Sequence, residues 1–211
     1  MSRQETVGAE ALQGLIRRMV PVLDEAARVL YESETRTRLH PPARSALISV
    51  FESKHRVRFP PSYRLFLKWH NGWERYADGY TLIGVTGRHT SQALADIRQT
   101  VEAFLESWVL TYGPRSEEKI REYESRGNPA NRWEANGQLF VPEKVHFATN
   151  FNGGLRFFDP ERRRAGGELE VVSWSTSGGT LARYPSFVDM LREDLRRLTE
   201  EIQADVRRRA P

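Results

Sequence analysis

Near the N-terminus the apolar residues recur at three- and four-residue steps, Leu12, Leu15, Ile16, Met19, Leu23, Ala26 and Leu30. That spacing puts one stripe on a helix over residues 9–31, with a kink or restart at Pro21, whose nitrogen cannot donate to the helical ladder. Pro41 and Pro42 favour the start of a second helix, with Ala43, Leu47, Val50 and Phe51 on its apolar face and its end near His55. Val57 and Phe59 lead in extended backbone into Pro60 and Pro61, and Pro61 suits the first position of a third helix. Tyr63, Phe66, Leu67 and His70 mark its inner side. Asn71 and Gly72 end it, since both tolerate left-handed backbone.

Tyr80 to Val85 reads as a first strand between glycines. A long helix is predicted from about 91 to 110, carrying Leu94, Ile97, Val101, Phe104, Leu105 and Trp108 on one side. Residues 113–138 are polar and repeatedly broken by glycine and proline, with a short exposed helix over 116–125. From Val145 the period drops to two. Three strands of an antiparallel meander follow, over 145–149, 155–158 and 169–174, turned first at Asn152-Gly153-Gly154 and then between Asp159-Pro160 and Gly166-Gly167. A closing helix from about Pro185 buries Phe187, Leu191, Leu195, Leu198 and Ile202. The expected class is α+β: one domain over 1–211, its core at about 43–195 with a helical and polar insert at about 88–140, and helices covering one face of the sheet.

Composition narrows the classes of function. With no cysteine among 211 residues, disulfide staples and thiol chemistry are excluded, which suits a reducing, cytoplasmic setting. No apolar run approaches the roughly 20 residues of a membrane span, and none resembles a signal core. The net charge of +4 is spread among 32 basic and 28 acidic residues; their interleaving, as in the last helix, is that of solvated helix faces.

The approach to Pro60-Pro61, then Tyr63, the Phe66-Leu67 pair, the Asn71-Gly72 stop and a strand, resembles the opening of the SUKH superfamily in its SMI-KNR branch, with Phe59 where leucine is usual. Gly153-Gly154 leading a strand to Asp159, Trp174 in the strand after it, and Phe187 in a closing helix resemble the rest of that pattern. The resemblance covers roughly residues 43–195. It implies a binding domain without a catalytic site. In bacteria such proteins are chiefly immunity proteins that bind and neutralise a cognate toxin domain; fungal relatives are regulatory interaction hubs linked to cell-wall assembly.

The residues themselves carry no enzyme signature. His40, His55, His70, His89 and His146 are at least 15 residues apart, without the short spacing of a zinc motif, so no metal or other cofactor is expected. Ser173 to Gly179 lacks the glycine of a nucleophile elbow and the lysine of a phosphate loop, and reads as a turn. Asp78, Glu134, Asp159 and Glu170 are acids that no spacing brings together. The basic runs Arg162-Arg163-Arg164 and Arg207-Arg208-Arg209 have no interleaved aromatics, so nucleic acid is the lesser alternative. A protein partner is expected, and a positive chain is poorly suited to covering a nuclease's basic cleft. Aromatics not claimed by a core period are the candidate contacts: Trp73 and Tyr76 after the helix stop, and Arg132 and Trp133 in the polar insert. No periodic surface marks an oligomer interface.

Overall fold

The computed structural model describes residues 3–125 and 138–209. Its helices are α1 (Arg3–Leu30), α2 (Ser45–His55), α3 (Pro61–Trp69), α4 (Arg88–Tyr112), α5 (Glu117–Ser125) and α6 (Phe187–Arg209). Its strands are β1 (Arg38–Leu39), β2 (Trp73–Glu74), β3 (Thr81–Leu82), β4 (Val145–Thr149), β5 (Gly154–Arg163), β6 (Leu169–Ser175) and β7 (Gly179–Tyr184). They form one antiparallel sheet in sequence order, β1 to β7, and the α+β class holds.

Helix α1 runs through Pro21 without a break. The proline removes one backbone bond and costs about 3 kcal/mol, whereas Leu12, Leu15, Ile16, Met19, Leu23 and Ala26 are all buried, each contributing roughly 1–3 kcal/mol. Burial outweighs the break. Much of that stripe packs on α6, and the two helices run parallel: Gly8 and Leu12 share a groove with Val188, Leu23 and Ala26 lie beside Leu198, and Val22 beside Ile202 and Val206. At the far end the Arg209 guanidinium donates to the Val29 carbonyl at 3.2 Å.

Helix α2 starts at Ser45, so Pro41 and Pro42 lead into it rather than open it. Its buried residues are Ile48, Phe51 and Glu52, while Leu47 and Val50 are 42% and 62% exposed. The rotation follows from Glu52, whose carboxylate accepts from the Phe59 amide at 2.9 Å and pairs with Arg64 at 2.7 Å. A polar tie to the α3 entry sets which face turns inward.

Helix α3 begins as expected, with Pro60 as N-cap and Pro61 first. Tyr63, Phe66 and Leu67 are fully buried. The helix stops differently from the expectation: His70 is extended (φ −144°), and of Asn71 and Gly72 only the glycine takes positive φ (101°). Tyr63 lies among Phe59, Phe66, Phe147, Phe158 and Phe187, with ring centroids 5.0–5.5 Å away.

The sheet is covered on both faces rather than one. Residues 154–159 of β5 are all buried, although neighbours on a strand point to opposite sides. Phe158 and Arg156 meet Tyr63 on α3 and Asp194 on α6. Leu155 pairs with Trp174, whose ring meets Phe104 of α4 at 5.7 Å. Tyr80–Val85 contributes only the two residues of β3, and β1, β2 and β7 were not expected. In the β4–β5 turn the positive angles fall on Phe151 and Gly153, and the Asn150 side chain accepts from the Asn152 and Gly154 amides at 2.9 and 2.8 Å.

Asp159 does not turn the chain. It continues β5 opposite Glu170 and is buried, with the Lys144 ammonium 3.2 Å away. Arg183 lies 2.5 Å from Glu170 and 4.0 Å from Asp159, so the fold unites two acids that their spacing left apart and neutralises both. Lys144 also lies 3.6 Å from Glu124, which fastens α5 of the insert to the sheet.

Candidate functional site

Three short segments meet at the β1 edge of the sheet. His40 follows β1, Glu74 sits on β2 opposite Arg38, and His89 lies in the first turn of α4. They line a cleft of about 520 Å³ together with Asn71, Arg88 and Gln92. The two imidazoles stack, centroids 3.6 Å apart and planes within 6°. One donor atom from each of His40, Glu74 and His89 lies within 4.8 Å of the other two. Sequence separation had argued against any histidine pair; β1–β2 pairing and the path of residues 82–90 bring two together.

Asn71 and Gly72 build the floor of this cleft. The Asn71 Oδ1 accepts from the Val85 amide at 2.7 Å, and its Nδ2 donates to Thr86 at 2.9–3.1 Å. Its carbonyl oxygen lies 2.8 Å from His89 Nε2. A carbonyl only accepts, so that ring nitrogen carries the proton. The Thr90 hydroxyl agrees: it donates to the Thr86 carbonyl at 3.0 Å and lies 3.1 Å from the same nitrogen. In the neutral ring the lone pair is then on Nδ1, and no hydrogen bond engages that atom among the described residues.

His40 is held less tightly. Its Nε2 lies 3.3 Å from Glu74 Oε2, in a geometry that makes no hydrogen bond, and the atom is buried. Burial first, then the neighbouring His89, lowers its pKa, against an opposing pull from Glu74. Arg38 is 65% exposed and lies 3.9 Å from the same carboxylate. Two imidazoles and a carboxylate are the donor set of many divalent-metal sites.

Close approach of the 82–86 loop depends on small residues. A Cβ on Gly84 would sit 2.3 Å from the Asn71 carbonyl oxygen, and one on Gly72 2.8 Å from both the Gly84 amide nitrogen and His89 Nε2. Gly84→Ala therefore collides with backbone, and a stability loss of about 1–3 kcal/mol is expected. Urea unfolding checks it; a change below about 0.5 kcal/mol, the level of an ordinary surface substitution, would show that the loop moves freely off Asn71.

A larger groove, about 890 Å³, lies at the other end of α3, between Phe59-Pro60-Pro61, the 163–169 turn and the start of α1. Arg58, Lys68 and Arg163 on its walls are exposed, and no ion pair engages any of the three among the described residues. Glu168 is occupied, accepting from the Ser62 amide and hydroxyl at 2.8 and 2.6 Å.

The residues expected to contact a partner fare differently. Trp73 is fully buried, its Nε1 donating to Thr37 at 2.6 Å and its ring 5.1 Å from Tyr76. Tyr76 is 1% exposed and donates to Asp194 at 2.7 Å. Neither has surface to offer, because the segment after Gly72 turns under α6 to close the core. Arg132, Trp133 and the acid Glu134 lie outside the described residues. Pro60, Tyr63, Phe66, Leu67, Trp174 and Phe187 are core or near-core, Gly153 and Gly154 turn the β4–β5 hairpin, and Asn71 and Gly72 are the motif residues that reach the cleft. No spacing in the sequence links His40, Glu74 and His89; only their common metal-ligating chemistry does.

No helix among the described residues is long and apolar enough to cross a membrane. Comparison with curated proteins gives no match. The model of the SMI1 / KNR4 family (SUKH-1) matches residues 42–193, from the approach to α2 into the first turns of α6. That span holds the Pro60 to Gly72 motif, the β4–β6 meander and Phe187, and the chain belongs to the SMI1 / KNR4 family, whose members support a role in protein interaction.

Proposed function

We propose that the protein is an immunity protein, acting in the cytoplasm by binding a cognate bacterial toxin domain and blocking it without chemistry of its own. The groove beside Phe59 is the surface that carries this reading: it is concave, part apolar, and bears three exposed cations without acidic partners among the described residues. Such a surface fits an acidic, extended segment of a partner, since opposite charge steers encounter and fixes register. Arginine is also among the residues that dominate interface energy. Family membership supports a binding role, and the net charge of +4 favours a partner with an acidic surface over a nuclease with a basic cleft.

Co-expression with the toxin domain encoded beside it tests the proposal: growth should be rescued, and the purified chains should form a complex. Reversing the groove charges with Arg58→Glu, Lys68→Glu and Arg163→Glu together should weaken the complex by roughly 100-fold or more with little change in Tm. Trp133→Ala, compared alongside, measures the insert's share. Rescue that is indifferent to the groove moves the interface elsewhere. Failure to rescue with any neighbouring toxin, with endogenous proteins recovered in a pull-down, favours a regulatory scaffold. Retention on nucleic acid with a steep salt dependence would instead favour the nucleic-acid alternative.

A further inference from the structure

We propose that His40, Glu74 and His89 bind a divalent transition-metal ion, with zinc the best fit to two imidazoles and one carboxylate. The three side chains come from separate elements, yet their donor atoms lie within 4.8 Å of one another at the wall of an open cleft. Three protein ligands with a position left for water or another group is the arrangement of open zinc sites.

Two local features point to a ligand. His89, 8% exposed, has its Nε2–H held by the Asn71 carbonyl at 2.8 Å. Metal-bound histidines are commonly oriented in this way, with the other ring nitrogen donated to a carbonyl, which leaves Nδ1 to bind. His40 presents a buried Nε2 without a hydrogen bond, 3.3 Å from Glu74. Buried polar atoms without a hydrogen bond are exceptions in folded proteins, and an ion held between His40 and the neighbouring Glu74 carboxylate is one of the things that satisfies them.

The geometry also states what binding requires. A ligated metal lies close to the plane of each imidazole, and rings stacked within 6° at 3.6 Å cannot share one ion. His89 is locked by Asn71 and Thr90, so His40 turns about its side-chain bonds and the stack opens. The Arg38 guanidinium, 3.9 Å from Glu74 Oε2 and 65% exposed, swings into solvent, and Arg88 stays at the rim. Both cations oppose a metal ion. Affinity is accordingly set against reorganisation and charge, and removing Arg38 strengthens it.

Isothermal titration of the full chain with zinc chloride, with magnesium chloride as control, tests the site. One zinc ion per chain is expected, with magnesium binding far more weakly. His40→Gln and Glu74→Gln should each lower zinc affinity tenfold or more, Arg38→Gln should raise it several-fold, and zinc should shift the ring-proton NMR signals of His40 as the stack opens. Circular dichroism establishes that each variant is folded. Zinc bound equally well by wild type, His40→Gln and Glu74→Gln overturns the proposal, as does the absence of binding. If the two ligand variants do not fold, an affinity unchanged by Arg38→Gln overturns it by itself.

Discussion

Asp194→Ala should lower stability by about 3–5 kcal/mol, seen as a fall of roughly 10 °C in Tm. Asp194 is 1% exposed on α6 and faces Arg156, 2% exposed on β5, at 2.5 Å. The guanidinium is framed by the Tyr80 and Tyr76 rings, 4.5 and 5.5 Å from its carbon, and its next acid, Asp78, is 3.7 Å away and partly exposed. Removing Asp194 leaves a nearly buried cation without its main counter-charge and takes the acceptor from the Tyr76 hydroxyl, whose pKa burial and Asp194 hold well above the usual value. Desolvation decides the sign here. An intact pair gains little over apolar residues of the same shape, whereas half a pair is strongly unfavourable. The double variant Arg156→Met, Asp194→Leu should therefore recover most of the loss. A single variant within about 1 kcal/mol of wild type would show that Asp78 and water replace Asp194.

Tyr63→Ala is expected to cost about 3–5 kcal/mol, and Tyr63→Phe about 1–2 kcal/mol. The ring is fully buried at the meeting point of α3, β4, β5 and α6, and five phenylalanines surround it. Alanine opens a cavity among rigid rings that cannot collapse to fill it. Phenylalanine keeps the packing and removes only the hydroxyl that donates to the Ile83 carbonyl at 2.6 Å. Because that bond sits next to the Gly84 contact with Asn71, Tyr63→Phe should also loosen the 82–86 loop. Urea melts separate the two variants; equal losses would mean that the hydroxyl, not the ring, carries the site.

Helices α1, α3, α4 and α6 were legible because each has a stripe at helical spacing, α3 with its proline entry most clearly, whereas the stripe expected for α2 included Leu47 and Val50, which are exposed. Period-two alternation revealed β4, β5 and β6, although β5 ran past its expected end. Strands β1 and β2 have two residues each, too few for any period, and they exist only because neighbours pair with them; β3 lies inside the expected run Tyr80–Val85 but keeps only two of its residues. The Asp159-Pro160 step looked like a turn, but Lys144 supplies a counter-charge inside the fold that no local pattern contains. Trp73 and Tyr76 looked unclaimed because they follow the helix stop, outside any apolar period, and the buried partner of Tyr76, Asp194, is polar and far along the chain. The cluster of His40, Glu74 and His89 was not legible: separations of 34 and 15 residues carry no motif, the spacing of the histidines suggests no pair, and the cleft arises from strand pairing.

The parallel run of α1 and α6 has a practical effect on how the protein can be attached to anything. The start of α1 forms part of the groove wall beside Phe59, through Gly8 and Leu12, so a label or surface linkage joined ahead of α1 leaves next to the proposed partner site. The end of α6 lies at the other end of the helical layer, about 35 Å along a helix of 23 residues. Immobilisation through that end leaves the groove facing solution.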